Sequence, residues 1–289
     1  MGELLGKNML AGKTRRVVNK LLATFFITLL AIGVLIPFIY MISASFKTIG
    51  QLNSQPLELI VEGMTFRNYQ KVLALRDPTF LRYYSNSLKI SVICVLCELL
   101  TSSMAGYAFA RIQFRGREII FMLYLITMMI PFQAIMVPQF MVFHYLKIYN
   151  THWALILPRM CTIFGTFMMR QYFMGIPLEL SEAARIDGAG EFKTFFGVML
   201  PLAKPSLSTL GIITFVWRWN EYEAPLIFIS NKNLYTLPLA LVNFVDDVGK
   251  QQDTVIIAAA VCALLPMILV FFLGQKYIIE GMVSGSVKG

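Results

Sequence analysis

From Leu21 to Phe46 the chain runs for 26 residues without a charged side chain, between Lys20 and Lys47. About 20 such residues carry a helix across a bilayer. A signal-peptide core is shorter, roughly 7–15 residues, and ends at a small-residue cleavage site with no counterpart after this run. The segment 21–46 therefore reads as an uncleaved first transmembrane helix, kinked near Pro37. Composition agrees: 57% of the residues are hydrophobic and 14% charged, where a soluble chain carries about 25% charge. The 23 Phe and 12 Tyr exclude a disordered chain, and four Cys in 289 residues exclude a disulfide scaffold.

Five further apolar stretches follow. They are 85–110 with Lys89 and Glu98, 119–143 with Pro131 and Pro138, 151–169 with Arg159, 206–229 with Arg218, Glu221 and Glu223, and 254–275 with Pro266. Proline is tolerated in such helices because neighbours satisfy the freed carbonyls. The fold class expected is all-α, a polytopic bundle of six transmembrane helices. The fourth stretch is the shortest, since its charge-free core covers only 160–169.

Six spans put both termini on one side. With the N-terminus inside, the cytoplasmic segments 1–20, 111–117, 170–204 and 276–289 hold 14 Lys and Arg, against 8 in 47–84, 144–152 and 231–253. Cytoplasmic loops are the basic ones, so both termini are expected in the cytoplasm. The net charge of +9 is spread between apolar runs, which is not the single basic face of a nucleic-acid binder.

The largest cytoplasmic segment, 170–204, is the one place where the chain offers the cytosol a folded surface. Pro177 suits a first helical turn, and 178–187 contains good helix formers. Gly188 and Gly190 permit positive φ and stop that helix. A second helix is expected from Glu191 to Met199, ended by Pro201 and Pro205. The small pair Ala183-Ala184 lets another backbone approach, and Glu182 and Arg185 share a face. The residues alone fit equally a docking surface and a solvated amphipathic loop.

This stretch resembles the EAA loop of ABC importer permeases through Glu182, Ala183, Ala184, Asp187, Gly188, Ala189, Leu200 and Pro201. Other pieces are similar to the carbohydrate-uptake, maltose-type branch of that family. They are Phe66-Arg-Asn-Tyr69, Asn86-Ser-Leu88, Tyr107-Ala-Phe-Ala-Arg111 with Phe114-Arg-Gly116, Trp219-Asn220-Glu221, and Gly281 with Lys288-Gly289. The resemblance implies a type I ABC importer permease fold, with a permease core over 85–275 and an extracytoplasmic loop at 47–84. It implies a non-enzymatic subunit, without cofactor, in the inner membrane of a bacterium or archaeon. Implied partners are a second permease of different sequence, two copies of a cytoplasmic ATPase and an extracytoplasmic solute-binding protein. By the same resemblance Glu182, Ala183, Ala184, Arg185, Asp187, Gly188, Leu200 and Pro201 form the coupling element toward the ATPase. The chain itself has no G-x-x-x-x-G-K-[ST] phosphate loop. A non-sugar solute, or an ion-coupled carrier with inverted repeats, are the competing readings; no repeat is visible.

Two polar features lie inside spans. Glu98 is near mid-membrane, where an acid is costly unless paired or hydrated; it either lines the pathway or pairs with a polar group on another span. The cluster Arg218, Trp219, Asn220, Glu221 and Glu223 offers an aromatic face and hydroxyl-bonding groups to a sugar, while Arg218 and Glu221 are spaced to satisfy one another. A structural or gating role is expected there ahead of direct sugar contact. Cys94-Val-Leu-Cys97 inside a span reads as inert packing. His144 and His152 are too few for a metal site.

Overall fold

In a computed structural model, residues 2–54, 58–59, 63–74, 79–248 and 253–286 are described, with side-chain surroundings for those outside 2–17, 243–248 and 277–286. The helices are α1 (Gly2–Ser45), α2 (Ile49–Ser54), α3 (Arg67–Ala74), α4 (Phe80–Arg111), α5 (Arg117–Ile126), α6 (Phe132–Tyr145), α7 (Trp153–Ile156) and α8 (Ile163–Gly175). Then come α9 (Leu178–Ile186), α10 (Glu191–Thr194), α11 (Leu200–Leu202), α12 (Lys204–Trp219), α13 (Glu223–Phe228), α14 (Leu237–Val248) and α15 (Asp253–Ser286). The chain divides into two units, Met1–Val72 with Lys250–Val261, and Leu73–Gly249 with Cys262–Gly289.

In the first unit α1 runs unbroken through Pro37. Its window Val18–Ser45 has a mean hydropathy of 2.6, and residues 18–39 are all exposed. An apolar helix without buried contacts of its own is suited to lipid or to another chain. Its C-terminal end is fastened by the Phe66-Arg-Asn-Tyr69 motif. Asn68 donates to the carbonyls of Ser45 and Lys47, both at 2.8 Å, and accepts the hydroxyl of Thr254 at 3.2 Å. The carbonyl of the last helical residue, Ser45, is thereby satisfied by a side chain.

The second unit is organised by α4. Thr79 caps its start through Arg82 N, and its buried face carries Ser87, Ser91, Ser102, Ser103 and Gly106. Small residues let helix backbones approach closely in a membrane. A Cβ on Gly106 would lie 2.7 Å from Met169 Cβ, and one on Gly165 would lie 2.4 Å from Ser102 Oγ. These contacts seat α8 against α4, and α12 packs on another side. Asn86 holds the carbonyls of Asn233 and Tyr235, at 2.9 and 3.0 Å, and Ser87 Oγ accepts Leu237 N–H at 2.7 Å, fixing the chain ahead of α14.

Among the described residues three helices are long and apolar enough to cross a membrane, Val18–Ser45, Phe80–Arg111 and Asp253–Lys276, and five spans result if each of two bent pairs is one. Several expected boundaries change. The stretch 119–143 is not one helix: α5 with its 3₁₀ turn meets α6 at 98°. Ile130, before Pro131, is extended, as a residue preceding proline prefers. The stretch 151–169 is broken into α7, a 3₁₀ turn at Leu157–Arg159, and α8 capped by Thr162. Neither piece is long enough to span alone. The stretch 206–229 is interrupted at 220–222, between α12 and α13. The loop 231–253 contains α14, which the sequence reading lacks.

Candidate functional site

The loop that carries the EAA pattern folds as the residues dictate, with two differences. Pro177 stands just ahead of α9 at φ −54°, and α9 ends at Ile186, capped by Asp187, whose N–H reaches Ala183 O at 3.0 Å. Gly188 takes φ +79°, which a Cβ disfavours, and no atom lies within 4 Å of where that Cβ would be. Gly190, in contrast, sits at φ −70° and needs no glycine on that ground. The second helix does not stop at Met199. It passes through a π turn, Phe195–Met199, and on through Pro201 to Leu202, before a 77° bend into α12. The π turn bonds Leu200 N to Phe195 O, so the ordinary ladder is already interrupted where the proline N–H is missing.

Glu182, Ala183, Arg185, Asp187 and Gly188 are exposed on this loop, and Ala184 is half-buried. Ile186 and Phe192 beside them are 86% and 71% exposed. Leu200 is half-buried against the cluster of Tyr107, Phe173, Phe195 and Met199, while Pro201 is exposed. Arg185 pairs with Glu191 at 2.8 Å across the glycine turn. A cavity of about 410 Å³ at the base of α9 is lined by polar groups that include Arg111, Gln113, Ser181 and Glu182.

The second group gathers where two broken helices face each other. Glu221, in the break between α12 and α13, accepts Arg159 Nε at 3.1 Å and Nη2 at 2.5 Å on Oε1, and Arg218 on Oε2. The expected Arg218–Glu221 contact is present, and Arg159, 62 residues away, joins it. Arg159 also lies over the ring of Phe132, 5.5 Å from its centroid. Glu223 accepts Gln133 Nε2 at 3.2 Å. Phe132, Arg159, Arg218, Asn220, Glu221 and Glu223 border a cavity of about 380 Å³ together with Trp217 and Tyr222.

Two members of the expected set, Trp219 and Glu98, point elsewhere. Trp219 is 2% exposed, stacked on Phe215 and bonded through Nε1 to Ala263 O at 3.0 Å. Its face is occupied, and Trp217 is the tryptophan that borders the cavity. Asn220 stays exposed on the cavity wall, with its amide bonded to Val216 O at 2.8 Å and to Met267 Sδ at 3.4 Å. Glu98 is fully buried, with Oε1 accepting the hydroxyl of Thr162 at 2.5 Å. The four cysteines are free. Arg159 and Trp217 were legible only as a charge in a span and an aromatic beside one; their meeting depends on helix breaks that no local pattern marks.

Residues 99–283 match the family described as binding-protein-dependent transport system inner membrane component. The chain is 35% identical over 278 residues to the arabinooligosaccharides transport system permease protein of Halalkalibacterium halodurans, covering 96% of this chain and 99% of that one. It is 30% identical over 280 residues to the galactooligosaccharides transport system permease protein of Bacillus subtilis, with 96% and 98% covered. It is 29% identical over 283 residues to the maltodextrin transport system permease protein of the same organism, with 96% and 99% covered. Its fold is similar to a chain in the crystal structure of a bacterial ABC transporter involved in the import of the acidic polysaccharide alginate. The TM-score there is 0.81 at 25% identity, over 90% of this chain and 96% of that chain.

Proposed function

The chain belongs to the family of inner-membrane components of binding-protein-dependent transport systems, and on that footing we propose that it is a permease subunit of an ATP-driven importer of oligosaccharides. It forms half of the passage, opposite a second permease of different sequence. Two copies of a cytoplasmic ATPase drive it, and an extracytoplasmic binding protein delivers the sugar. The chain hydrolyses nothing itself. Both termini and the loop 170–204 lie in the cytoplasm, in the inner membrane of a bacterium or archaeon.

One observation carries the coupling role. A glycine-closed helix turn, α9 to α10, leaves Glu182, Ala183, Arg185 and Gly188 exposed beside the apolar side chains of Ile186 and Phe192. An exposed apolar patch within a polar rim marks an interaction surface. ATP-driven closure of two ATPases would move such a docked helix as a rigid body. The cluster of Arg159, Arg218, Asn220, Glu221 and Glu223, with Trp217, forms the pathway wall or its gate; Glu98 and Trp219 support it from within the bundle.

The test is reconstitution of the permease with its second permease, ATPase and binding protein in proteoliposomes. ATP hydrolysis and uptake are followed with arabinotriose, a galactotriose and maltotriose, and with a tripeptide as the non-sugar control. Stimulation of both by at least one of the sugars is expected. Stimulation by the peptide alone would overturn the sugar assignment.

A further inference from the structure

Glu191 carries no signal in the sequence, yet its carboxylate joins parts of the chain that lie far apart. Oε1 is 2.8 Å from Nη2 of Arg185, on α9. Oε2 accepts the hydroxyl of Tyr107 at 2.8 Å, 84 residues earlier, near the end of α4. Tyr107 is 3% exposed and is held edge-on by Phe173, with ring centroids 5.9 Å apart, and tilted against Phe195 at 5.2 Å. One turn further, Arg111 donates to Phe173 O at 2.6 Å and to Ile176 O, just ahead of α9. The docking helix is thus tied to α4 at both ends. Arg111 grips the backbone that leads into it, and Glu191 grips the side chain of Arg185 near its exit. Between those ties the turn is held by its own backbone, Gly188 N–H to Arg185 O at 3.0 Å and Ala189 N–H to Ala184 O at 2.9 Å, and leans on no neighbour at its glycines, where a Cβ at Gly188 or Gly190 would meet nothing within 4 Å.

We propose that Glu191 is a positioning residue that makes α9 and α4 move together, so that a displacement of α9 reaches α4 instead of being absorbed in the turn at 188–190. The inference rests on the reading of α9 as the element that docks on the ATPase. α4 is the helix through which such a displacement has consequences. It packs on α8 and α12, and its Glu98 is bonded to Thr162, three residues beyond Arg159. An acidic residue in a first helical turn also favours its own helix through the dipole. That role requires only a negative charge at 191, whereas the positioning role requires the pair with Arg185 and the bond to Tyr107.

The experiment uses the whole assembly in proteoliposomes and measures sugar transported per ATP hydrolysed, with whichever trisaccharide stimulates the wild type most. Glu191→Ala is expected to lower that ratio by roughly two- to thirtyfold, the range found for residues that carry coupling, while the ATPase stays bound and active. Tyr107→Phe, which removes one hydroxyl and keeps the ring, is expected to lower it in the same direction. The double variant should be no worse than Glu191→Ala. Glu191→Gln keeps an oxygen that can accept Arg185 and an amide that can bond the Tyr107 hydroxyl but removes the negative charge; it should retain most of the ratio, which a dipole role does not allow. An unchanged ratio in Glu191→Ala, or a loss in Glu191→Gln as large as in Glu191→Ala, would overturn the proposal. A wild-type assembly without sugar-stimulated hydrolysis would overturn the underlying reading as well, so the two failures are distinguishable.

Discussion

Arg159 and Glu221 meet across two interrupted helices, with Arg159 Nη2 2.5 Å from Glu221 Oε1. Arg159 closes the 3₁₀ turn before α8, and Glu221 sits in the break after α12. Arg218 takes the other oxygen of the same carboxylate. One acid therefore fastens two broken helices.

Removing that acid leaves two guanidinium groups facing each other with little solvent, since their side chains are 23% and 11% exposed. Glu221→Ala is expected to cost about 3 kcal/mol or more, the usual penalty for stranding a buried charge. A lower unfolding midpoint of the purified assembly in detergent checks it. Replacing all three residues, Arg159→Met, Arg218→Met and Glu221→Met, removes the charges together and is expected to restore most of the midpoint. If that triple variant folds, it should fail to transport; normal uptake with unchanged sugar preference would remove the cluster from the pathway.

Gly188 separates conformation from contact. Its φ is +79°, and nothing lies within 4 Å of a Cβ placed there. Any loss on substitution is then a backbone effect of about 1–2 kcal/mol for most residues, smaller for Asn, which enters this region more readily. Gly188→Val is expected to insert into the membrane and lose ATP-driven uptake, while Gly188→Asn keeps most of it. Equal uptake by both variants, at equal expression, would contradict the requirement for positive φ.

Gly106 tests the close approach of α4 and α8. A Cβ there would stand 2.7 Å from Met169 Cβ and 2.8 Å from Arg170 N, which is backbone and cannot swing aside. Gly106→Ala is expected to cost roughly 1–3 kcal/mol, as overpacking does. Gly33→Ala, where nothing lies within 4 Å, should cost nothing. Thermal unfolding of the two variants side by side decides it.

Sidedness is open to labelling. In a variant with its four cysteines replaced, Arg185→Cys should react with an impermeant maleimide only after the cytoplasmic face is opened, and Lys232→Cys should react in intact cells. Reaction of residue 185 in intact cells would reverse the orientation and remove the coupling role.

Much of the architecture can be read from local chemistry. The charge-free run at 21–46, the long helix through 85–110 and the apolar run at 254–275 each announce a membrane helix by length and hydropathy alone. Gly188 announces its turn because few other residues tolerate that φ. The bends are a different matter. Pro131 and Pro138 look alike in the sequence, yet the chain turns by 98° next to the first and continues as helix through the second. Hydropathy reports what a segment is immersed in and says nothing of where its axis points. The same limit hid the partner of Glu221. A spacing of three suggested Arg218, whereas Arg159 arrives only because two breaks face each other. It also misplaced the aromatic group, since Trp217 and Trp219 are two residues apart and a helix turns by about 200° in that interval. One of them borders the cavity and the other lies in the core.

The bare flanks of α1 bear on how the protein is made. In hydrocarbon a leucine gains no hydrophobic free energy by leaving lipid for another helix, so a helix exposed from 18 to 39 is able to stand in a bilayer without packing partners along that stretch. It can leave the ribosome and enter the membrane before any later helix exists. The bracket that Asn68 places on the carbonyls of Ser45 and Lys47 forms only once the chain has grown past that residue. Insertion of α1 and fastening of its end are therefore separable steps in making the protein: the first needs only lipid, the second needs the chain as far as Asn68.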